Sequence, residues 1–158
     1  FFNFLDLCLD FSFFFADKKE EGRLELNLNE RQQVHRIHLF SHHKDNRAPQ
    51  QVAIYGASSD DADPTLGAKA LEDGDWTLIA NYQTEEIGIG GKHGTAILSP
   101  KGETIGEYHK LLFICKPRKA SNQHTFFSEI DVYSEDPPAL QPLAVNQQHT
   151  PRFFISLK

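Results

Sequence analysis

The sequence contains no methionine, a single tryptophan and only two cysteines, Cys8 and Cys115. Two cysteines are too few for a disulfide framework, and they do not have the CxxC spacing of a zinc knuckle. The fold must therefore rest on burial of apolar surface, for which a chain of 158 residues is long enough. Because a native start carries methionine, a chain beginning Phe1-Phe2 is expected to be a processed product or a piece of a longer protein.

The sequence also lacks an apolar run long enough to cross a membrane. The most apolar stretch, residues 1–15, is interrupted by Asp6 and Asp10, and it is shorter than the roughly 20 residues that a spanning helix needs. A signal peptide would carry a basic segment before its apolar run, and no such segment precedes this one. The net charge of −6 argues against nucleic acid as the main partner. We expect neither a transmembrane segment nor nucleic-acid binding.

Sustained helical periodicity is missing too, and period-two alternation takes its place. Leu24, Leu26 and Leu28 alternate with polar residues, which is typical of a strand with one buried face. Similar short segments recur along the chain with turn-forming residues between them, such as Asn29-Glu30 after the first of these segments. The predicted strands are 5–15, 24–28, 34–40, 52–55, 76–80, 95–98, 111–115 and 126–133. About eight such strands predict an all-β fold, an antiparallel β-sandwich or jelly roll.

The pattern also suggests how the chain is divided. Residues 1–134 are predicted to form the sandwich, and residues 135–158, which contain four prolines, a linker or a C-terminal strap. The acidic stretch 58–75 is predicted to be a long loop, with one short helical turn at 68–71.

Six of the segments follow one another in an order that is informative as a set. They are Gly22–Leu28, Val34–Ser41, Ala48–Gly56, Trp76–Ile79, Tyr108–Phe113 and Phe127–Tyr133. In this order, over roughly residues 12 to 134, the chain resembles the discoidin family, also called the coagulation factor 5/8 type C or galactose-binding-like fold. It looks closest to versions in large secreted bacterial proteins. The resemblance implies a sandwich of about eight antiparallel strands that holds its ligand in loops at one end. Family members bind glycans, anionic lipids, collagen or other proteins, so the fold does not fix the ligand.

By this resemblance the ligand loops are residues 17–22, 41–49, 84–94 and 116–124. We expect the loop from Ser41 to Gln50 to be the most informative, because its polar side chains suit sugar hydroxyls. The candidate ligand-binding residues are His42, His43, Asn46 and Arg47 from this loop, His93 from a predicted turn at 90–94, and His124. The alternative is a solvated loop whose Arg47 pairs locally and holds the loop in shape.

Calcium is the metal that the resemblance implies. Many discoidin-like lectins hold a structural Ca²⁺ between a glutamate of the closing strand and a loop before the first core strand. Glu129 matches that glutamate by position, and Asp6 and Asp10 lie where the loop would come. The alternation in residues 5–15 favours a strand there instead. A zinc site would require His42 and His43 to converge with another histidine.

No nucleophile elbow or recognisable catalytic cysteine appears in the sequence. We therefore expect a non-catalytic binding module for carbohydrate recognition or adhesion, with a glycan or glycoprotein as partner. Its expected location is secreted, periplasmic or on the cell surface. The alternative is a structural module that docks onto other proteins of a larger extracytoplasmic assembly. A small hydrolase on a jelly-roll scaffold is a third possibility. A glycan site should show an exposed aromatic platform, and a docking module a larger apolar patch.

Overall fold

A computed structural model describes residues 13–14, 21–43, 50–84, 91–99, 101, 103–117, 126–134 and 152–156. Within these ranges the chain forms nine strands and one short helix. They are β1 (Phe13–Phe14), β2 (Gly22–Val34), β3 (Arg36–His43), β4 (Gln50–Ala57), α1 (Ala68–Glu72), β5 (Trp76–Gln83), β6 (Gly91–Leu98), β7 (Gly106–Pro117), β8 (Phe126–Tyr133) and β9 (Arg152–Ser156).

The strands form two sheets. The front sheet has the order β1-β8-β3-β6-β9, and the back sheet the order β2-β7-β4-β5. All neighbouring strands are antiparallel except β6 and β9, which are parallel. The predicted antiparallel β-sandwich is therefore confirmed. Of the predicted strand at 5–15, only residues 13–14 lie in the described part of the chain. The C-terminal segment contributes β9, and the division at residue 134 stays a prediction.

The main core lies between the two sheets and follows the period-two pattern. Leu26 and Leu28 of β2 are buried while Glu25 and Asn27 are exposed. Apolar residues of both sheets meet them, including Ile37, Leu39, Ile54, Phe113 and Ile130. Leu24 is half-buried and packs against this core. Burying side chains of this size contributes roughly 1.5–3 kcal/mol each, which makes the core the main source of stability.

A second apolar cluster covers the outer face of the back sheet. In β7, Leu111 and Phe113 face the main core, whereas Leu112 and Ile114 belong to the second cluster. Residues 58–75, which we call the cover, supply Ala62 and the α1 residue Leu71 to it. The predicted loop with its helical turn thus seals one face of the sheet. The apolar run in β7 is continuous because both of its faces are buried.

Arg23 holds the cover in place. Its guanidinium donates to the carbonyl oxygens of Pro64 and Leu66, at 2.5 and 2.7 Å, and pairs with Glu21 at 2.5 Å. The indole N–H of Trp76 donates to the carbonyl of Asp63 at 3.0 Å. These bonds satisfy backbone groups that the cover would otherwise leave unpaired near the sheet.

Strand β2 carries a large bulge. Asn27 pairs with Lys110 and Gln32 with Tyr108, so the four residues 28–31 lie opposite the single residue His109. Asn29 has a φ of 66°, a left-handed conformation that asparagine tolerates better than most residues. The turn expected at Asn29-Glu30 does not reverse the chain, since β2 continues to Val34.

The predicted turn at 90–94 is wrong, because β6 begins at Gly91 and runs through His93 and Gly94. Gly94 lies opposite Phe40 of β3, and a Cβ atom there would approach the phenyl ring to 3.0 Å. The glycine is explained by this close approach of an aromatic ring within the sheet, not by a chain reversal.

Candidate ligand-binding end of the sandwich

In the back sheet, strand register brings four chain segments to one end. Gly22, the first residue of β2, pairs with Cys115 near the end of β7. Gln50, the first residue of β4, pairs with Pro117, the last of β7. Gln51 pairs with Gln83 at the end of β5. The segments before Gly22 and Gln50, and those after Thr84 and Pro117, therefore leave the sheet at the same end.

The front sheet repeats this arrangement. His43, the last residue of β3, pairs with Gly91, the first of β6. Ser41 pairs with Phe127 near the start of β8. The segments after His43, before Gly91 and before Phe126 thus share one end of the front sheet.

A buried cluster of hydrogen bonds joins these two ends. The side-chain amide of Gln50 donates to the hydroxyl of Ser41 at 3.1 Å. The hydroxyl of Thr84 accepts from the backbone N–H of Gln50 at 2.8 Å and donates to its carbonyl at 3.2 Å. All three residues are buried. We call the region where these strand ends meet the loop end. The predicted ligand loops 17–22, 41–49, 84–94 and 116–124 all adjoin it.

The predicted ligand-binding residues fall into three groups: residues outside the described part of the chain, residues at the end of β3, and His93 in β6. Asn46, Arg47 and His124 lie outside the described residues. His42 and His43 were expected in the loop, but they are the last two residues of β3, because their backbones pair with Lys92 and Gly91.

The structure corrects the predicted position of His93. This residue was expected on an exposed turn, but it lies within β6, with only 2% of its surface accessible. A side chain buried to this extent does not present itself to a ligand, so His93 is not among the ligand-binding residues that we propose.

Of the residues predicted to bind calcium, only Glu129 lies in the described part of the chain, and the calcium site stays a prediction. This residue is half-buried in β8 and lies opposite Phe40 of β3. Asp6 and Asp10 lie outside the described residues. No group of three His, Cys, Asp or Glu side chains suited to a metal occurs in the part of the chain that the structure describes. Because a calcium ion takes six to eight oxygen ligands, Glu129 would need ligands from residues such as Asp6 and Asp10.

Sequence reasoning missed a charged cluster at the loop end. Glu21 pairs with Arg23 and, at 3.0 Å, with the ammonium of Lys116. Burial alone would raise the pKa of Glu21, but the hydrogen bonds and positive charges of Arg23 and Lys116 outweigh it and lower that pKa. The cluster therefore links the start of β2 to the end of β7. A Glu-x-Arg spacing is too common to have indicated it.

Beneath this cluster the titratable groups are inert. Cys115 is a free and fully buried cysteine, and burial, followed by the negative charge of Glu21, raises the pKa of its thiol. Burial likewise raises the pKa of the Tyr82 hydroxyl, which is hydrogen-bonded to Thr95 of the front sheet. A thiol with a raised pKa is a poor nucleophile, so Cys115 acts as a core residue.

No family model matches the chain, and neither does any curated protein. Solved structures do. The chain is similar to a GH29 fucosidase of Ruminococcus gnavus in complex with fucose, with a TM-score of 0.51 and 14% identity. A mutant of that fucosidase, also in complex with fucose, gives the same values. The match covers 78% of this chain but only 20% of the fucosidase.

This likeness shows the fold alone. It agrees with the β-sandwich read from the strand register, and it is compatible with the discoidin resemblance, which stays a prediction. The chain corresponds to about a fifth of the enzyme that it matches.

Proposed function

We propose that this chain is a non-catalytic carbohydrate-binding module whose ligand site is built from the loops at the loop end. One observation carries the proposal: the strand ends that flank four polar segments meet there and are joined by the buried Gln50, Ser41 and Thr84 cluster. Loops with fixed ends lose little conformational entropy on binding, which favours recognition by a shallow surface. The similarity to part of a fucosidase structure that contains fucose supports a saccharide ligand.

Arg47 is the residue to which we assign the largest share of recognition. Its planar guanidinium can donate to two adjacent hydroxyls at once. Asn46 can donate and accept, and imidazole groups such as those of His42, His43 and His124 can do the same in their neutral form. These groups match the alternating donors and acceptors of a sugar ring.

The absence of catalysis is part of this proposal. The matched region is a fifth of the fucosidase chain, which is the size of an accessory domain. The alternative docking module would require a broad apolar patch. Among the described residues, Leu78 is the only exposed large apolar side chain, at 41%. The surface formed by the described residues therefore favours a polar ligand over a protein partner bound through apolar contacts.

We further propose that the module works outside the cytoplasm, where it binds glycans or glycoproteins beside other modules of a larger protein, with Ca²⁺ as a structural ion. In the described residues, no helix is both long and apolar enough to cross a membrane.

A glycan array probed with the purified chain, with and without Ca²⁺, tests the proposal. We expect selective binding of a saccharide class, and Arg47→Ala should weaken it by roughly 1–3 kcal/mol because buried partners are left unpaired. The melting temperature should stay unchanged. Lys69→Ala, which removes an exposed positive charge from the cover, is the matched control and should bind normally. Loss of stability without a separate binding defect would make Arg47 a structural clamp, and an array without selective binding would refute the proposed function.

A further inference from the structure

The end of the sandwich opposite the loop end contains a small cleft. Here Val34 at the end of β2 pairs with Gly106, and Arg36 at the start of β3 pairs with Leu98 and Tyr133. The cleft lies between the bulged part of β2 and the end of β8. Its lining is Asn27, Leu28, Asn29, Gln32, Gln33, Val34, Val132 and Ser134.

The bulge of β2 creates this cleft. With three more residues in β2 than in β7 between the flanking pairs, residues 28–31 leave the regular ladder. The side-chain oxygen of Asn27 accepts from the backbone N–H of Asn29 at 2.7 Å, and the side-chain amide of Gln32 donates to the carbonyl of Leu28 at 3.2 Å. These two bonds give the bulge a defined shape, so its surface is ordered before any ligand arrives.

The lining of the cleft is polar or apolar but uncharged. Four of the eight lining residues carry carboxamides, one carries a hydroxyl, and none is charged. The apolar residues Leu28, Val34 and Val132 are buried beneath them. Among the residues that the structure describes, Asn29 and Gln33 are exposed and their carboxamides have no hydrogen-bond partner in the protein. Both are therefore available to a ligand.

A carboxamide offers a donor and an acceptor side by side, as does a sugar hydroxyl. The cleft has a volume of about 20 Å³, enough for one water-sized group. A single ligand hydroxyl can therefore enter it while the exposed carboxamides at its rim bind neighbouring hydroxyls. A charged ligand would find no counter-charge in the lining.

The geometry points to a second ligand site in this cleft, one that takes a neutral, hydroxyl-rich ligand such as the edge of a pyranose. The carboxamides of Asn29 and Gln33 hydrogen-bond its hydroxyls. The site is separate from the loop end and does not depend on the function proposed for it. Because so small a cleft contacts little of a monosaccharide, we expect weak binding, with a dissociation constant on the order of 1 mM or higher.

Amide chemical-shift mapping on the full chain tests this site, with galactose, glucose and fucose as probes and glucuronate as the charged comparison. We expect saturable shifts in residues 27–34 and 132–134 with at least one neutral sugar, and weaker shifts with glucuronate.

The informative variant is the double substitution Asn29→Gly and Gln33→Ala. Glycine keeps the left-handed backbone at position 29 while removing the carboxamide. We expect this variant to lower the affinity of the cleft roughly tenfold, the effect of losing two neutral hydrogen bonds. Asn81→Ala, which removes an exposed carboxamide from β5 at the far edge of the back sheet, is the matched control and should bind as the parent chain does.

The experiments can refute either proposed site without refuting the other. Arg47→Ala should leave the shifts of the cleft unchanged, and shifts in the cleft without selective glycan binding at the loop end would uphold this site and refute the proposed function. The site itself is refuted if none of the three neutral sugars shifts residues 27–34, or if the double variant binds as tightly as Asn81→Ala.

Discussion

Arg23 offers the sharpest test of how the second core is held together. Its side chain is 27% exposed and donates to the carbonyls of Pro64 and Leu66 while pairing with Glu21. Hydrogen bonds that involve a charged group contribute roughly 1.5–3 kcal/mol each. After Arg23→Ala, water can reach the two carbonyls and recover part of the lost hydrogen-bond energy. We therefore expect the free energy of unfolding to fall by about 2–3 kcal/mol, with the cover as the part that loosens.

The chain contains its own probe for this region. Trp76 is the single tryptophan, it is 2% exposed, and its indole N–H is bound to the carbonyl of Asp63 within the cover. In Arg23→Ala we expect the emission of Trp76 to shift to longer wavelength and to become more accessible to a soluble quencher. A denaturant titration followed by this emission and by far-ultraviolet circular dichroism measures both the local and the global effect.

Arg31→Ala is the control within the same strand. Arg31 pairs with Glu107 at 3.6 Å, and both side chains are at least half exposed, so its loss should cost no more than about 1 kcal/mol. Equal midpoints and unchanged Trp76 emission in the two variants would refute the assignment of Arg23 as the residue that anchors the cover.

Two further predictions concern charge. Glu21 has a lowered pKa in the folded chain, so its contribution to stability is complete above its ordinary value of 4.5 and is lost as the pH falls through the lower folded value. Unfolding measured across that range should show a shallower pH dependence for Glu21→Gln, and an unaltered slope would contradict the pairing with Arg23 and Lys116. If a structural calcium ion is bound, adding Ca²⁺ should raise the melting temperature and Glu129→Ala should abolish the rise. No response of the parent chain to millimolar Ca²⁺ would exclude the ion.

Hydrophobic alternation was sufficient to predict the sandwich, because each buried strand face repeats every second residue. In β2 the buried Leu26 and Leu28 alternate with exposed residues, as expected for a strand with one face in the core. The cover was predicted only as a loop, although the sequence carried a signal for it. The run Leu111–Cys115 is apolar at every position, which indicates a strand buried on both faces and hence a second layer outside the sheet.

Local composition misled where packing sets the backbone. The glycines around His93 suggested a turn, yet Gly94 lies in β6 beneath the ring of Phe40. Asn29-Glu30 suggested a reversal, but it forms the bulge of β2. In both cases the same residue types serve a turn and an irregular strand, and only the partner strand decides between them.

The bulge also bears on why a second site would persist in this chain. Four residues of β2 face one residue of β7, so the bulge gives up regular ladder bonds, and the bonds made by Asn27 and Gln32 offset this loss only in part. A β2 without the extra residues would keep the ladder regular and pair more of its backbone groups. Bulges next to binding sites re-aim side chains, and here the displaced segment places Asn29 beside Gln33 above an apolar floor. The loss of regular pairing thus gives the end opposite the loops a polar surface that a straight strand could not form.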